Sequence, residues 1–363
     1  MEPIIETNGL GKQFRLLEKK TGLMGSLKSL FRPNYRLVNA VCDVSLKIMQ
    51  GEITAFIGPN GAGKSTTIKM LTGILHPSSG SAQVLGFTPW TQRRELSYQI
   101  GSVLGQRSQL WMHLPAGDSF RLLGHIYEVP KRDFERRLGS FVELFDLRDI
   151  IEVPVRKLSL GQRMRCEIAA SLLHGPRVIF LDEPTIGLDV IAKDKIRKLV
   201  QTANESEGLT ILLTSHDPGD IEKLCRRVVI IDHGQVLLDT DVQTLKRSPH
   251  FSVRTVSARL RTPFDGSVAI NLPGVELLKS KGQGIKLRVD TALTPIESVL
   301  REIIDISGIE DVAVRPPSLE EIIAHIYQHK GLSMVPSGPS IPGKDFQQES
   351  DESSMENSVP EAD

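Results

Sequence analysis

Apolar positions fall along this chain in short runs separated by glycine, proline and charge. Residues 53–57 (ITAFI) are almost entirely apolar and run straight into Gly58. A run that short, closed by glycine, predicts a strand buried on both faces. Residues 64–75 then read as a helix. Upstream, 4–57 reads mostly as strand with one interruption, and 40–48 alternates loosely before ending at Gly51. Residues 110–172 read as mainly helical, with turns at Pro115, Pro130 and Pro154. A second alternating stretch follows: strand 178–181, helix 192–206, strand 210–214, helix 219–225 and strand 228–231. Strands alternating with helices predict an α/β fold with a largely parallel sheet covered on both faces.

After about residue 236 the pattern changes. Residues 251–260, 266–272 and 284–289 read as short strands, and 294–307 and 318–328 as helices. This predicts a domain over 1–240 and a smaller α+β accessory domain over 241–331. Residues 332–363 are rich in Ser, Pro, Glu and Asp. They offer too few apolar groups to offset the entropy of ordering, so a disordered acidic tail is expected.

The interruption, 15–34, carries Leu23, Leu27 and Leu30 at helical spacing with Lys19, Lys20, Lys28 and Arg32 around them. That pattern suits a short basic amphipathic helix at a membrane surface or a membrane partner. It equally suits an insertion packed against its own domain. The second reading is preferred, because Gly22 and Gly25 weaken a helix.

Composition removes several function classes. Lys+Arg is 44 and Asp+Glu is 44, so the formal net charge is zero. No basic excess supports nucleic-acid binding. The three cysteines, Cys42, Cys166 and Cys225, form no CxxC pair and read as buried small hydrophobes in a reducing compartment. The first ten residues are acidic and short of apolar groups, unlike a signal peptide. No apolar run approaches the length of about 18 residues that a membrane span needs.

Two motifs carry chemistry. GPNGAGKST comprises Gly58, Pro59, Asn60, Gly61, Ala62, Gly63, Lys64, Ser65 and Thr66. It matches the phosphate-binding loop in its strand–loop–helix setting. Its glycines let successive N–H groups turn onto phosphate oxygens, and the following helix presents its positive end to the same anion. Lys64 is placed for the β- and γ-phosphates, and the Ser65 hydroxyl for Mg²⁺. Downstream, RVIFLDEP ends an apolar strand in Asp182 and Glu183. Asp182 suits the Mg²⁺ shell, and Glu183 suits a general base acting on water. Together these predict a P-loop NTPase. A third segment, LSLGQ, opens a helix upstream of Asp182 with Ser159, Gly161 and Gln162. It is a second small anion cradle, in excess of what one nucleotide in one chain requires.

With that motif in place, residues 4–240 resemble the ABC ATPase family. The resemblance implies a P-loop core with an antiparallel β subdomain and a helical subdomain over 110–172. It implies that Ser159, Gly161 and Gln162 contact ATP held by an opposite subunit, and that Asp189 in IGLD crosses the dimer interface. Gln106 falls at the family's Q-loop glutamine, which senses Mg²⁺ and the attacking water. His216, at the end of LLTSH, falls at its switch histidine. Adenine would stack on Phe14, with Tyr35 as the alternative. The cofactors implied are ATP and Mg²⁺.

The GLD form of the D-loop and PPSLEEII at 316–323 resemble the exporter class, whose ATPases pair with separately encoded transmembrane permeases. The expectation is a homodimer at the cytoplasmic face of the cell membrane, peripheral and with no span of its own. Two rivals are non-transport ABC ATPases. DNA-repair types place coiled-coil arms or zinc modules between the P-loop and the Asp-Glu strand, but the interval from Lys64 to Asp182 holds neither sustained heptads nor CxxC. Translation-factor types carry two ATPase units in one chain, and this chain has one.

Overall fold

The computed structural model describes residues 2–17, 35–105, 108–247, 252–264 and 271–328. The tail 332–363 lies outside them, as does most of 15–34. In chain order the first elements are β1 (Ile5–Leu17), β2 (Tyr35–Ile48), β3 (Ile53–Ile57), α1 (Lys64–Leu71), β4 (Ser79–Val84), α2 (Arg93–Ser97) and β5 (Ile100–Leu104). A helical stretch follows: α3 (Ala116–Ile126), α4 (Lys131–Leu144), a 3₁₀ turn (Val155–Lys157) and α5 (Leu160–Leu172). Then come β6 (Val178–Asp182), α6 (Val190–Glu207), β7 (Thr210–Thr214), α7 (Pro218–Leu224), β8 (Arg227–Asp232), β9 (Gln235–Asp241) and α8 (Val242–Arg247).

The central sheet has six strands in the order β5-β6-β7-β3-β8-β9. The first five are parallel and β9 is antiparallel to β8. Every residue of β3 and β7 is buried, as two-sided coverage of a parallel sheet demands. A second sheet, β2-β1-β4, is antiparallel. Its inward residues Ile5, Leu10, Val44 and Ile48 share one apolar cluster with Phe56, Phe180, Leu212 and the α1 residues Ile68, Met70 and Leu71. The two sheets are thus fastened through the helix that follows the glycine-rich loop.

In the helical stretch, Pro115, Pro130 and Pro154 each stand at an N-cap with extended ψ. A proline there gives up an N–H that the helix start would leave unpaired anyway. Phe120, Phe141 and Phe145 fill the interior of this stretch, the last two edge to face at 5.5 Å.

A four-stranded antiparallel sheet completes the described chain. Its strands are β10 (Val253–Leu260), β11 (Val275–Lys281), β12 (Gly284–Asp290) and β13 (Ile309–Arg315), in the order β11-β12-β10-β13. It has its own core, in which Val256, Leu260, Leu287 and Val289 meet Val299 and Ile303 of α9 (Ile296–Ser307). The last helix, α10 (Leu319–Gln328), packs against α7 of the larger sheet's layer.

The structure differs from the sequence expectations in several places. The insertion begins later than residue 15: β1 continues through Leu17, with Arg15 opposite Leu37 and Leu17 opposite Tyr35. Leu16, Tyr35 and Leu37 are exposed, so hydrophobic pattern gave no sign of this pairing. The strand expected over 266–272 falls mainly outside the described residues, and β11, which the pattern did not predict, has residues that are almost all exposed. The α1 helix stops at Leu71 and not at residue 75.

The β8–β9 hairpin closes on His233 and Gly234, both at positive φ (47° and 80°). That is the two-residue turn whose twist suits a hairpin. Gly234 N–H donates to the Ala62 carbonyl at 2.9 Å, and Cys42 N–H donates to the Gly234 carbonyl at 2.7 Å. A Cβ at Gly234 would lie 2.9 Å from Val41 Cα. Gly234→Ala should therefore lower the unfolding free energy by about 1–2 kcal/mol from backbone conformation alone. Urea denaturation followed by circular dichroism checks this; an unchanged midpoint would refute it.

Candidate active site

The loop between β3 and α1 is built around Gly63, the N-cap of α1, at φ 105°. A Cβ there would sit 2.5 Å from the Ala40 carbonyl, so strand β2 closes the loop from behind. Lys64 begins the helix, and its side chain folds back over the loop. Its Nζ donates to the Gly58 carbonyl at 2.6 Å and the Pro59 carbonyl at 3.1 Å. Burial lowers the pKa of this ammonium from its ordinary value, and the nearby carboxylates of Glu183 and Asp182 oppose the effect. Ser65 and Thr66 follow on the first turn, half-buried, while Pro59, Asn60 and Gly61 are exposed at the loop's rim.

Strands β6 and β7 deliver the acidic and imidazole groups. Asp182 ends β6 directly opposite Thr214, which ends β7. The Thr214 hydroxyl donates to Asp182 Oδ1 at 2.7 Å. It also accepts from the Glu183 N–H at 3.0 Å. Glu183 itself stands at φ 55°, a left-handed conformation uncommon for a residue with a side chain. Its Oε1 lies 2.7 Å from His216 Nε2. A hydrogen bond there to an ionised carboxylate places a proton on Nε2. The same nitrogen then cannot accept from Lys64, whose Nζ is 3.4 Å away.

Lys64, Asp182, Glu183 and His216 thus meet beyond the carboxyl ends of the adjacent strands β3, β6 and β7, where open α/β sheets bind ligands. Thr214, which joins the two acidic residues, was not singled out in the sequence. Only the register of β6 against β7 reveals it. Gln106 lies outside the described residues. Its neighbour Gly105 is close by: a Cβ there would be 3.9 Å from Asp182 Oδ2.

The donor set suits a magnesium nucleotide. Ser65 and Asp182 offer hard oxygens, and among the described residues no cluster of three or more His, Cys, Asp or Glu side chains forms a protein-only metal cage. Mg²⁺ is commonly held in this way, by one or two protein oxygens with the substrate's phosphates.

The LSLGQ segment forms a separate constellation. Ser159 caps α5 in a reciprocal box: its hydroxyl accepts from Gln162 N–H at 3.2 Å, and Gln162 Oε1 accepts from Ser159 N–H at 2.9 Å. Gly161 packs against α6, where a Cβ would meet Ala192 Cβ at 3.0 Å. Asp189 caps α6 by accepting from Ala192 N–H at 2.8 Å. Among the described residues no hydrogen bond or ion pair joins Ser159, Gly161, Gln162 or Asp189 to Lys64, Asp182 or Glu183. The face they share carries exposed Leu160, Ile186, Val190 and Ile191, the last two 75% and 73% accessible.

Phe14 lies on β1 opposite Val38, half-buried, with Lys12 Nζ 5.4 Å from its ring centroid. Tyr35 lies further along the hairpin and is 58% exposed. Val38 is closer along β2 than Tyr35 to Ala40, the residue that abuts Gly63. Of the cysteines, Cys166 and Cys225 are buried, and burial raises both thiol pKa values, that of Cys166 to about 12. Cys42 is only half-buried, contrary to expectation, because β2 is covered incompletely at that point.

The ABC transporter family model matches residues 41–186. The ABC transporter ATP-binding protein NatA of Bacillus subtilis (strain 168) is 33% identical over 60% of this chain and 88% of its own length. The chain belongs to the ABC transporter ATP-binding family. Daunorubicin resistance ATP-binding protein DrrA3 of Streptomyces coeruleorubidus is 31% identical to this ABC ATPase over 79% of it and 90% of DrrA3. Bacitracin transport ATP-binding protein BcrA of Bacillus licheniformis is 32% identical over 59% and 68% of the two chains. A dimeric ATP-binding cassette solved with ADP and Pi shares the fold, with a TM-score of 0.55 at 24% identity over 66% of this chain and 98% of that one. The ATP-binding subunit of an ABC transporter has the same TM-score of 0.55 at 26% identity, over 67% and 92%. The fold is that of an ABC ATPase, and the chain is an ATPase whose nucleotide is ATP. Among the described residues no helix is long and apolar enough to cross a membrane.

The strained loop yields a direct check. Gly63→Ala must place a Cβ against the Ala40 carbonyl and keep φ positive. Affinity for a fluorescent ATP analogue should fall about tenfold or more, the equivalent of roughly 1.4 kcal/mol. Wild-type affinity in this variant would show that the loop tolerates the displacement.

Proposed function

We propose that this ABC ATPase is the energy-supplying subunit of an exporter, working as a homodimer that drives a separately encoded transmembrane permease from the cytoplasmic face of the membrane. The observation that carries this reading is the separation of the two constellations within one chain. The Lys64–Glu183–His216 cluster has the groups for hydrolysis. The Ser159–Gly161–Gln162 cradle and Asp189 lie apart from it, on a face with exposed Leu160, Ile186, Val190 and Ile191. An apolar patch beside an anion-binding helix start favours a second copy bearing nucleotide.

In this reading Lys64 and the loop N–H groups hold the β- and γ-phosphates, and Phe14 stacks on adenine. Ser65, Asp182 and Gln106 would hold Mg²⁺, which supplies charge neutralisation when bound. Glu183 accepts the proton of the attacking water. His216 fixes that carboxylate through the 2.7 Å contact and can turn its N–H toward the γ-phosphate. Closure would be passed to the permease through Gln106 and its neighbours. All these positions are intact in one sequence, which favours two equivalent sites in a homodimer. The daunorubicin resistance and bacitracin transport proteins among the relatives favour export as the direction.

Two variants test the assignment. Glu183→Gln should abolish hydrolysis, retain ATP binding and accumulate an ATP-dependent dimer on size exclusion. Wild-type turnover in that variant would sink the base role. Lys64→Ala should lose nucleotide binding itself, measured by equilibrium titration with a fluorescent ATP analogue.

A further inference from the structure

Behind the Glu183–His216 contact lies a buried carboxylate that the mechanism above does not use. Asp220, on α7, is 1% exposed. Three donors converge on its two oxygens. The Thr185 hydroxyl and the Ser215 hydroxyl both donate to Oδ2, the latter at 2.6 Å. Arg197 Nε on α6 donates to Oδ1 at 2.6 Å. Arg197 is nearly buried and is itself held by Asp194 at 3.1 Å and Asp217 at 3.3 Å. Lys193 completes the set, 2.6 Å from Asp217. The charge of Asp220 is therefore paired and both of its oxygens accept hydrogen bonds, as a buried carboxylate requires.

The identity of the two hydroxyl donors gives the cluster its meaning. Thr185 stands two residues after Glu183, and Ser215 stands immediately before His216. One carboxylate thus fastens the loop that carries the base and the loop that carries the imidazole. Glu183 needs such restraint, because its φ of 55° is disfavoured for its residue type. Thr214 restrains it from the amino side through the Glu183 N–H, at 3.0 Å. Thr185 and Asp220 restrain it from the carboxyl side.

We propose that Asp220 is a positioning residue for hydrolysis, setting the distance between Glu183 and His216 through the hydroxyls of Thr185 and Ser215. Asp220 touches neither nucleotide nor water and acts only through those two loops. The proposal rests on Glu183 being the base. Misplacement of a reacting group by about 1 Å can cost on the order of 10²-fold in rate while leaving binding contacts in place.

The test removes the hydroxyls and leaves the Asp220–Arg197 pair intact. Steady-state kcat and KM, affinity for a non-hydrolysable ATP analogue, and thermal unfolding would be measured for Thr185→Val, Thr185→Ser and the double variant Thr185→Val/Ser215→Ala. The double variant should lose about tenfold or more in kcat. Its analogue affinity should stay within about twofold, and its unfolding should remain cooperative. Thr185→Ser, which keeps the hydroxyl, should retain kcat within about twofold. A double variant with wild-type kcat overturns the proposal, and so does a kcat loss matched by an equal loss of analogue affinity. Glu183→Gln assayed alongside separates the two ways of failing. If it is inactive while the double variant is fully active, the Asp220 proposal alone is wrong. If it is active, the base assignment falls and the positioning role falls with it.

Discussion

The arrangement at the candidate site depends on the register between β6 and β7. With Asp182 directly opposite Thr214, the threonine hydroxyl can donate to one acidic residue and accept from the backbone of the next. Shifting the pairing by one residue would turn Thr214 to the opposite face of the sheet. The Asp182 bond and the support for the left-handed Glu183 would then be lost together. The register is held by the apolar runs on both strands, VIFL and TILL, which are buried between layers and tolerate no slip. A hydrophobic constraint several residues long thereby fixes a polar arrangement whose tolerance is a fraction of an ångström.

A second dependence runs through the turn at His233 and Gly234. That hairpin bonds to β2 at Cys42 and to the glycine-rich loop at Ala62. The antiparallel sheet, the outer edge of the parallel sheet and the phosphate loop therefore meet at one backbone crossing. Neither sheet can shift against the other without moving the loop that carries Lys64.

Sequence pattern located β3 and β7 to the residue, because five-residue apolar runs closed by glycine or polar groups leave little freedom. It also located the glycine-rich loop, whose backbone requirements are written in residue type. It missed β4, β5, β9, β11 and β13. In β4, β9 and β13 exposed polar residues interrupt the pattern, and pairing with neighbours makes the strand. β5, although half-buried or buried throughout, is only five residues long and was not read as a strand. The hairpin turn was equally obscure: His233 at φ 47° carries a side chain where glycine or asparagine is usual. At the site, Lys64, Asp182 and Glu183 were legible from motif spacing, whereas Thr214 and Asp220 were not. Their relevance arises from strand register and from a helix folding back, and neither leaves a mark in local sequence.

The box that caps α5 has a consequence for how two surfaces could share one atom. In closing the cap, the Ser159 oxygen uses a lone pair to accept from Gln162. Its own hydrogen takes no part in that bond. A hydroxyl is both acceptor and donor, so the residue can keep its helix start intact and still present a proton outward. Docking against an anion would then need no unwinding of the helix and no exchange of one partner for another. The cap geometry itself would stay as it is.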